Sequence, residues 1–100
     1  MDQILEKLFG SIPKVRLLRL FMHNLDETFE ISAIAKRTQV QTHVARKELG
    51  KFVGAGIVTQ KNARIPFPGK RNVRYKETKV FRVNSDFPLL FELRDLVIKS

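Results

Sequence analysis

The spacing of the apolar residues changes once along the chain, and this change constrains the fold more than any other feature. Up to Ala55, apolar side chains recur three and four residues apart, which is the spacing of one helical face. From Ile57 they alternate with polar residues, and in the returning arm they share one parity at Val73, Tyr75, Phe81 and Val83. The pattern therefore predicts several helices followed by a β-hairpin.

Caps and turn formers divide the helical part into segments. The spacing predicts helices over residues 1–9, 13–24, 33–38 and 42–55. Gly10 ends the first helix, Pro13 opens the second, and Ser32 is the expected N-cap of the third. Gly56 stands where a left-handed residue commonly ends a helix. The second helix is apolar nearly all round, so we expect it at the centre of the core.

The rest of the chain predicts a hairpin over residues 57–84 and a helix over residues 88–99. The hairpin tip, residues 66–72, is rich in turn formers and offers no core positions. Pro88 opens the last helix, which carries a wide apolar stripe. A brief extended stretch between Phe29 and Ile31 precedes the third helix. With 100 residues the chain is too short for two cores, so we expect one mainly α domain with a small β-hairpin.

The positive charge is concentrated in the predicted hairpin. The chain holds 19 Lys and Arg against 10 Asp and Glu, a net charge of +9. Residues 57–85 contain eight of the basic side chains and Glu77 as the single acidic one. Such a concentration attracts polyanions, which makes nucleic acid the leading partner class.

Several function classes are excluded by what the sequence lacks. There is no cysteine, and His23 and His43 are the two histidines, so neither a disulfide framework nor a thiolate metal site can form. We find no combination of nucleophile, base and orienting group and no glycine-rich phosphate loop, and we expect no enzymatic activity, metal or cofactor. The apolar runs are far shorter than the roughly 20 residues of a membrane span, and charged residues interrupt the start of the chain. We therefore expect a cytoplasmic protein without a membrane partner.

A short helix, a tight turn, a second helix with a polar start and a basic hairpin are the parts of a winged helix-turn-helix. The segments ISAIAKRT (31–38), RKEL (46–49) and AGIV (55–58), together with Val40, resemble the small ArsR-like winged-helix transcriptional regulators. LFGS (8–11) resembles the family's opening, and FRVN (81–84) and DFPL (86–89) resemble its close. The resemblance implies sequence-specific binding of double-stranded DNA as a homodimer. It places the helix from Thr42 in the major groove, with the hairpin as the wing and the terminal helices flanking this unit.

The chain departs from the family pattern at three points. Gln41 stands at the cap of the recognition helix, where Ser or Thr is frequent and caps more strongly. The wing is longer than the usual few-residue turn between strands. Metal-sensing relatives use Cys and His clusters, which are absent here, so the metal-sensing activity does not carry over.

Two groups of polar residues are candidates for contact with DNA. On the recognition helix they are Gln41, Thr42, His43, Arg46 and Lys47. His43 and Lys47 point away from the face centred on Leu49, and Thr42 and Arg46 lie to one side of it near the helix start. Arg46 or Lys47 would reach guanine O6 and N7, and the others would contact bases or phosphates. On the wing they are Lys61, Arg64, Lys70, Arg71, Arg74 and Lys76, which would hold phosphates or enter the minor groove. The alternatives are a solvated helix face and an edge strand whose charges discourage aggregation.

The terminal helices carry more apolar surface than a core of this size can cover. A dimer interface is therefore expected from Ile4, Leu5, Leu8, Leu89, Leu93, Leu96 and Val97.

Gly50 and Gly54 lie four residues apart inside the recognition helix, either because another backbone approaches there or because they are simply tolerated. Two other functions remain open, a winged helix that docks an acidic protein and one that binds RNA. Whether a small molecule modulates binding is not visible in the sequence.

Overall fold

A computed structural model describes residues 2–68 and 73–99 of the chain. Within these ranges the elements follow in the order α1 (Asp2–Phe9), α2 (Ile12–Met22), β1 (Thr28–Glu30), α3 (Ile31–Thr38), α4 (Thr42–Gly54), β2 (Val58–Pro68), β3 (Val73–Val83) and α5 (Leu90–Lys99). This is the expected winged helix-turn-helix, with α3 and α4 as the helix pair, β2 and β3 as the wing, and α1 and α5 flanking them.

The helix starts differ from the prediction where a polar side chain or a strand fixes the backbone. Ser11 caps α2 by accepting a hydrogen bond from the Lys14 amide at 3.1 Å, so this helix starts before Pro13. Ser32 was predicted to cap α3, but it lies within the first turn of this helix. Its hydroxyl donates a hydrogen bond to Glu30 Oε1 at 3.0 Å. The reason is that Glu30, the last residue of β1, holds the extended backbone from which the helix begins directly. The last helix begins at Leu90 and not at residue 88.

The sheet has three antiparallel strands in the order β1-β3-β2. The wing strands pair from Val58 opposite Val83 to Pro68 opposite Val73, so β2 continues as far as Pro68 into the stretch that had been assigned to the tip. Proline is tolerated at Pro66 and Pro68 because β2 is an edge strand. The extended stretch before α3 forms the third strand, with Phe29 opposite Phe81. The sequence did not predict that this stretch joins the sheet.

Helix α2 lies at the centre of the core, as its apolar surface predicted. Leu17, Leu18, Phe21 and Met22 are buried and pack with side chains from α3, α4, α5 and the sheet. Phe21 meets Phe29 of β1 edge to face, with ring centroids 5.8 Å apart. In β3, Phe81 and Val83 are buried but Tyr75 of the same parity is exposed. The wing therefore leaves the core after its first few residue pairs, and the whole of β2, with 11 residues, spans about 36 Å at about 3.3 Å per residue.

The terminal helices both pack on α2, which corrects part of the predicted dimer interface. Leu5 in α1 is 1% exposed and Val97 in α5 is fully buried, so both belong to the core of their own chain. They are buried because each faces α2 across its helix. Exposed apolar side chains remain at Ile4, Leu8, Leu89, Phe91, Leu96 and Ile98, and Leu93 packs partly against the core.

Candidate nucleic-acid interface

The turn between α3 and α4 sets the direction of the second helix. Gln39 adopts the left-handed conformation (φ 57°), and its amide donates to the Ala35 carbonyl. The Val40 amide donates to the same carbonyl at 3.2 Å, and the Val40 side chain is buried. A left-handed residue other than glycine costs about 1–2 kcal/mol, and burial of Val40 offsets this cost. The turn therefore fixes how α4 leaves the core.

Helix α4 is held against the core along one face, as the helical spacing predicted. Ala45, Leu49 and Phe52 are buried there. The same face also buries Glu48, whose carboxylate lies 3.6 Å from Lys14 Nζ on α2 and 3.7 Å from Lys51 Nζ. Glu48 was not among the predicted site residues. Its place beside Leu49 follows from the helical spacing, but the contact with Lys14 depends on how α2 packs on α4 and is not visible in the sequence. The ion pair with Lys14 joins α4 to α2, and the pair with Lys51 lies within α4.

The opposite face of α4 exposes the residues that were expected to meet DNA. Gln41, Thr42, His43, Arg46 and Lys47 are all exposed. The Gln41 side chain makes no cap hydrogen bond, as expected for a weak cap. Neither Arg46 nor Lys47 forms an ion pair or a side-chain hydrogen bond within the part of the chain that the structure describes. Their charges are therefore free to meet a ligand.

Val44, His43 and His23 differ in their exposure and in their position relative to this surface. Val44 lies on α4 between His43 and Arg46, but it is partly buried against the core. His43 is exposed on α4, whereas His23 is the exposed C-cap of α2. Across residues 2–68 and 73–99, no three His, Asp or Glu side chains are placed to hold a metal ion.

The wing residues divide into those with a partner inside the chain and those that face solvent. Lys76 Nζ lies 2.9 Å from Glu30 Oε1, so this lysine ties the wing to β1. The hydrogen bond from Lys76, with a second from Ser32, lowers the pKa of Glu30 below its ordinary value of 4.5. Arg64 stacks over Tyr75, with its guanidinium carbon 5.2 Å from the ring centroid, and Lys61 is exposed. The backbone of Arg74 belongs to β3, and Lys70 and Arg71 lie outside the described residues.

A groove of about 470 Å³ separates α4 from the wing, and we call it the helix–wing groove. It is lined by Ile31, Arg46, Gly50, Gln60, Lys79 and Phe81. Lys79 and Gln60 were not among the predicted site residues. The signal that could have found them is strand parity, since Lys79 is two residues from the buried Phe81 and Gln60 lies opposite Phe81. The groove joins the exposed face of α4 to the wing.

Comparison with known proteins supports the fold. A solved structure described as a "possible transcriptional regulator" from Methanosarcina mazei Go1 aligns with 98% of this chain and 76% of its own, with a TM-score of 0.61 and 8% identity. At this identity the likeness shows a shared fold. No protein-family model and no curated protein matches the sequence. In the described part of the chain, every helix is too short or too polar to cross a bilayer.

Proposed function

We propose that the chain is a transcriptional regulator that binds double-stranded DNA in a sequence-specific manner. The observation that carries this proposal is the exposed basic face of α4. It presents Arg46 and Lys47, which form no ion pair or side-chain hydrogen bond with any described residue, on the second helix of a helix-turn-helix. Two exposed cations on a helix that is anchored to the core favour a polyanionic ligand, because its phosphates would supply their ion-pair partners. The net charge of +9 supports the same ligand class.

In the proposed complex, α4 enters the major groove through its N-terminal half. That groove admits one helix, and its base edges differ for all four base pairs. Gln41, Thr42 and His43 lie at the helix start, and Arg46 and Lys47 one turn later. Lys47 is suited to guanine O6 and N7 because its side chain is exposed and has no partner among the residues that the structure describes.

The wing would add phosphate contacts that position the protein without reading sequence. Lys61 and Arg64 are exposed on β2 for this role. Lys76 is a weaker candidate than the sequence suggested, because its ammonium group already holds Glu30. Lys70, Arg71 and Arg74 remain proposed phosphate contacts on the strength of their charge and place in the wing.

We further propose that two copies bind together through α1 and α5. Leu8 is 61% exposed and Leu96 is 42% exposed, and exposed apolar surface of this kind is typical of protein interfaces. Ile4 and Leu89 are exposed as well and belong to the proposed contact, with Leu93 at its edge. A two-fold dimer would select an inverted repeat, with half-sites about 34 Å or a multiple of it apart.

The segments that resemble the ArsR-like regulators support placing the chain near that family, as a member without its metal sites and without enzymatic activity. The fold similarity to a possible transcriptional regulator is compatible with this assignment.

The test is selection of duplexes from a randomised pool at a stated salt concentration. We expect enrichment of an inverted repeat that competes for binding against unselected duplex. A matched pool of RNA hairpins, run in parallel, tests the RNA-binding alternative. Retention of RNA without enrichment of any duplex would favour an RNA-binding winged helix. Retention of neither would refute nucleic-acid binding and leave the protein-docking function.

A further inference from the structure

Gly50 is unusual in the helix that contacts the helix–wing groove. It lies inside α4, where glycine costs about 1 kcal/mol relative to alanine. A Cβ atom added there would meet nothing within 4 Å, so none of the described residues packs closely enough to require a glycine at this position. The space beside Gly50 is the groove itself, which a longer side chain would enter.

The groove has an apolar floor and polar walls. Ile31 and Phe81 are buried side chains that form its floor. Arg46 stands on the α4 side and Lys79 on the wing side, and both are exposed. No ion pair or side-chain hydrogen bond within the described ranges uses either cation. Gln60 adds an amide that can donate hydrogen bonds.

This lining matches one sugar–phosphate strand of a duplex. The deoxyribose offers apolar surface to the floor, and the phosphate offers an anion to the two cations. The path of such a strand follows from the proposed function, on which this inference rests. If α4 occupies the major groove and the wing reaches the adjacent minor groove, the backbone between the two grooves must pass between helix and wing.

We propose that the helix–wing groove seats a DNA backbone phosphate between Arg46 and Lys79, and that Gly50 keeps the seat open. Arg46 is then a residue that positions the duplex and does not read bases, in contrast to the expectation from sequence. Base recognition on α4 falls to Lys47 and to the residues at the helix start. Lys79 is a new member of the interface.

The experiment measures affinity of the purified chain for a labelled duplex of about 30 base pairs, roughly three helical turns. The variants are Arg46→Ala, Lys79→Ala and the double substitution. Each single change should weaken binding roughly 10- to 50-fold on every duplex tested, because it removes one charge-assisted hydrogen bond to the phosphate. Because both cations hold the same phosphate, the double variant should lose less than the product of the two single losses. Lys99→Ala, which removes an exposed charge from α5, is the control for net charge.

Gly50→Leu tests the seat without changing charge. It should fold at least as stably as the wild type, because leucine favours helix, and should lose about tenfold or more in affinity. Gly54→Leu is the matched control, since it lies one turn further along the same flank and does not line the groove. It should bind as the wild type does.

Three results separate the hypotheses. If the wild type binds DNA and the Lys79→Ala and Gly50→Leu variants bind with the same affinity as the wild type, the phosphate seat is overturned and DNA binding stands. Changed base preference of Arg46→Ala in a duplex selection would make Arg46 a base reader and overturn its assignment here. Absence of duplex binding by the wild type would refute the proposed function, and the phosphate seat with it.

Discussion

Replacement of Gly50 by alanine should stabilise the protein, although the position lies in the proposed interface. The residue is exposed in the interior of a 13-residue helix, and its φ is not positive. The added methyl group meets no atom within 4 Å, so the change carries no steric cost. The gain is then the difference in helix propensity, about 0.8–1.0 kcal/mol. For a domain of this size it corresponds to a rise in Tm of roughly 4–8 °C.

Gly56 and Gly10 provide the contrast. Both have left-handed backbones, with φ of +82° and +81°, and alanine in that conformation costs about 1–2 kcal/mol. Phe87 Cδ1 lies 4.0 Å from a Cβ built at Gly56, an ordinary contact, so the cost there comes from the backbone alone. Thermal and urea unfolding followed by circular dichroism should place Gly50→Ala above the wild type and the other two below it. Loss of stability in Gly50→Ala would show that propensity and local space do not determine this position.

Three further outcomes are expected. If about six phosphates are contacted per dimer, the logarithm of affinity should fall against the logarithm of salt with a slope near −5, and a flat response in a salt series would contradict DNA binding. Lys76 and Ser32 lower the pKa of Glu30, so the ionised carboxylate stabilises the folded state. This contribution to the free energy of unfolding is present above the ordinary carboxyl pKa and is lost as pH falls through the lowered value. Glu30→Gln should therefore cost less than about 1 kcal/mol at neutral pH, and this cost should shrink as the pH is lowered below 4.5; a cost that does not change with pH, measured by urea unfolding, would refute the linkage. Leu8→Glu should keep its helix content and sediment as a monomer, and an unchanged oligomeric state would place the dimer contact elsewhere.

The sequence predicted the elements that depend on local patterns. The apolar surface of α2 identified the central helix, and the spacing around Leu49 identified the buried face of α4. Gly56 ended the fourth helix region with a positive φ, as its position suggested. These features follow from the chain's own periodicity and from the special freedom of glycine, so they need no knowledge of partners in space.

The elements that were missed depend on partners distant in sequence. The strand Thr28–Glu30 has three residues, too few for a periodic signal, and it exists because β3 offers it an edge. Leu5 and Val97 read as interface residues because their helices are apolar over a wide arc, and only the packing on α2 shows which residues are buried. The sequence predicts a solvent-facing charge at Lys76, whereas its ammonium group forms an ion pair with Glu30 of β1. Tertiary pairing determined each of these outcomes.

Helix α4 and its leading turn break several local rules at once, and all the exceptions bear on the same surface. Gln39 takes a left-handed backbone without being glycine, Gln41 leaves the helix start uncapped, and Gly50 weakens the helix interior. On the buried side, Glu48 forms an ion pair with Lys14 that joins the helix to α2. Proteins commonly accept such local costs where a site needs a particular geometry. A helix anchored by buried apolar side chains and an ion pair on one face, with an uncapped start and an open flank on the other, presents its polar side chains rigidly to a ligand. A stabilised Gly50→Ala and a weakly binding Gly50→Leu would together separate the cost in stability from the gain in binding at a single residue.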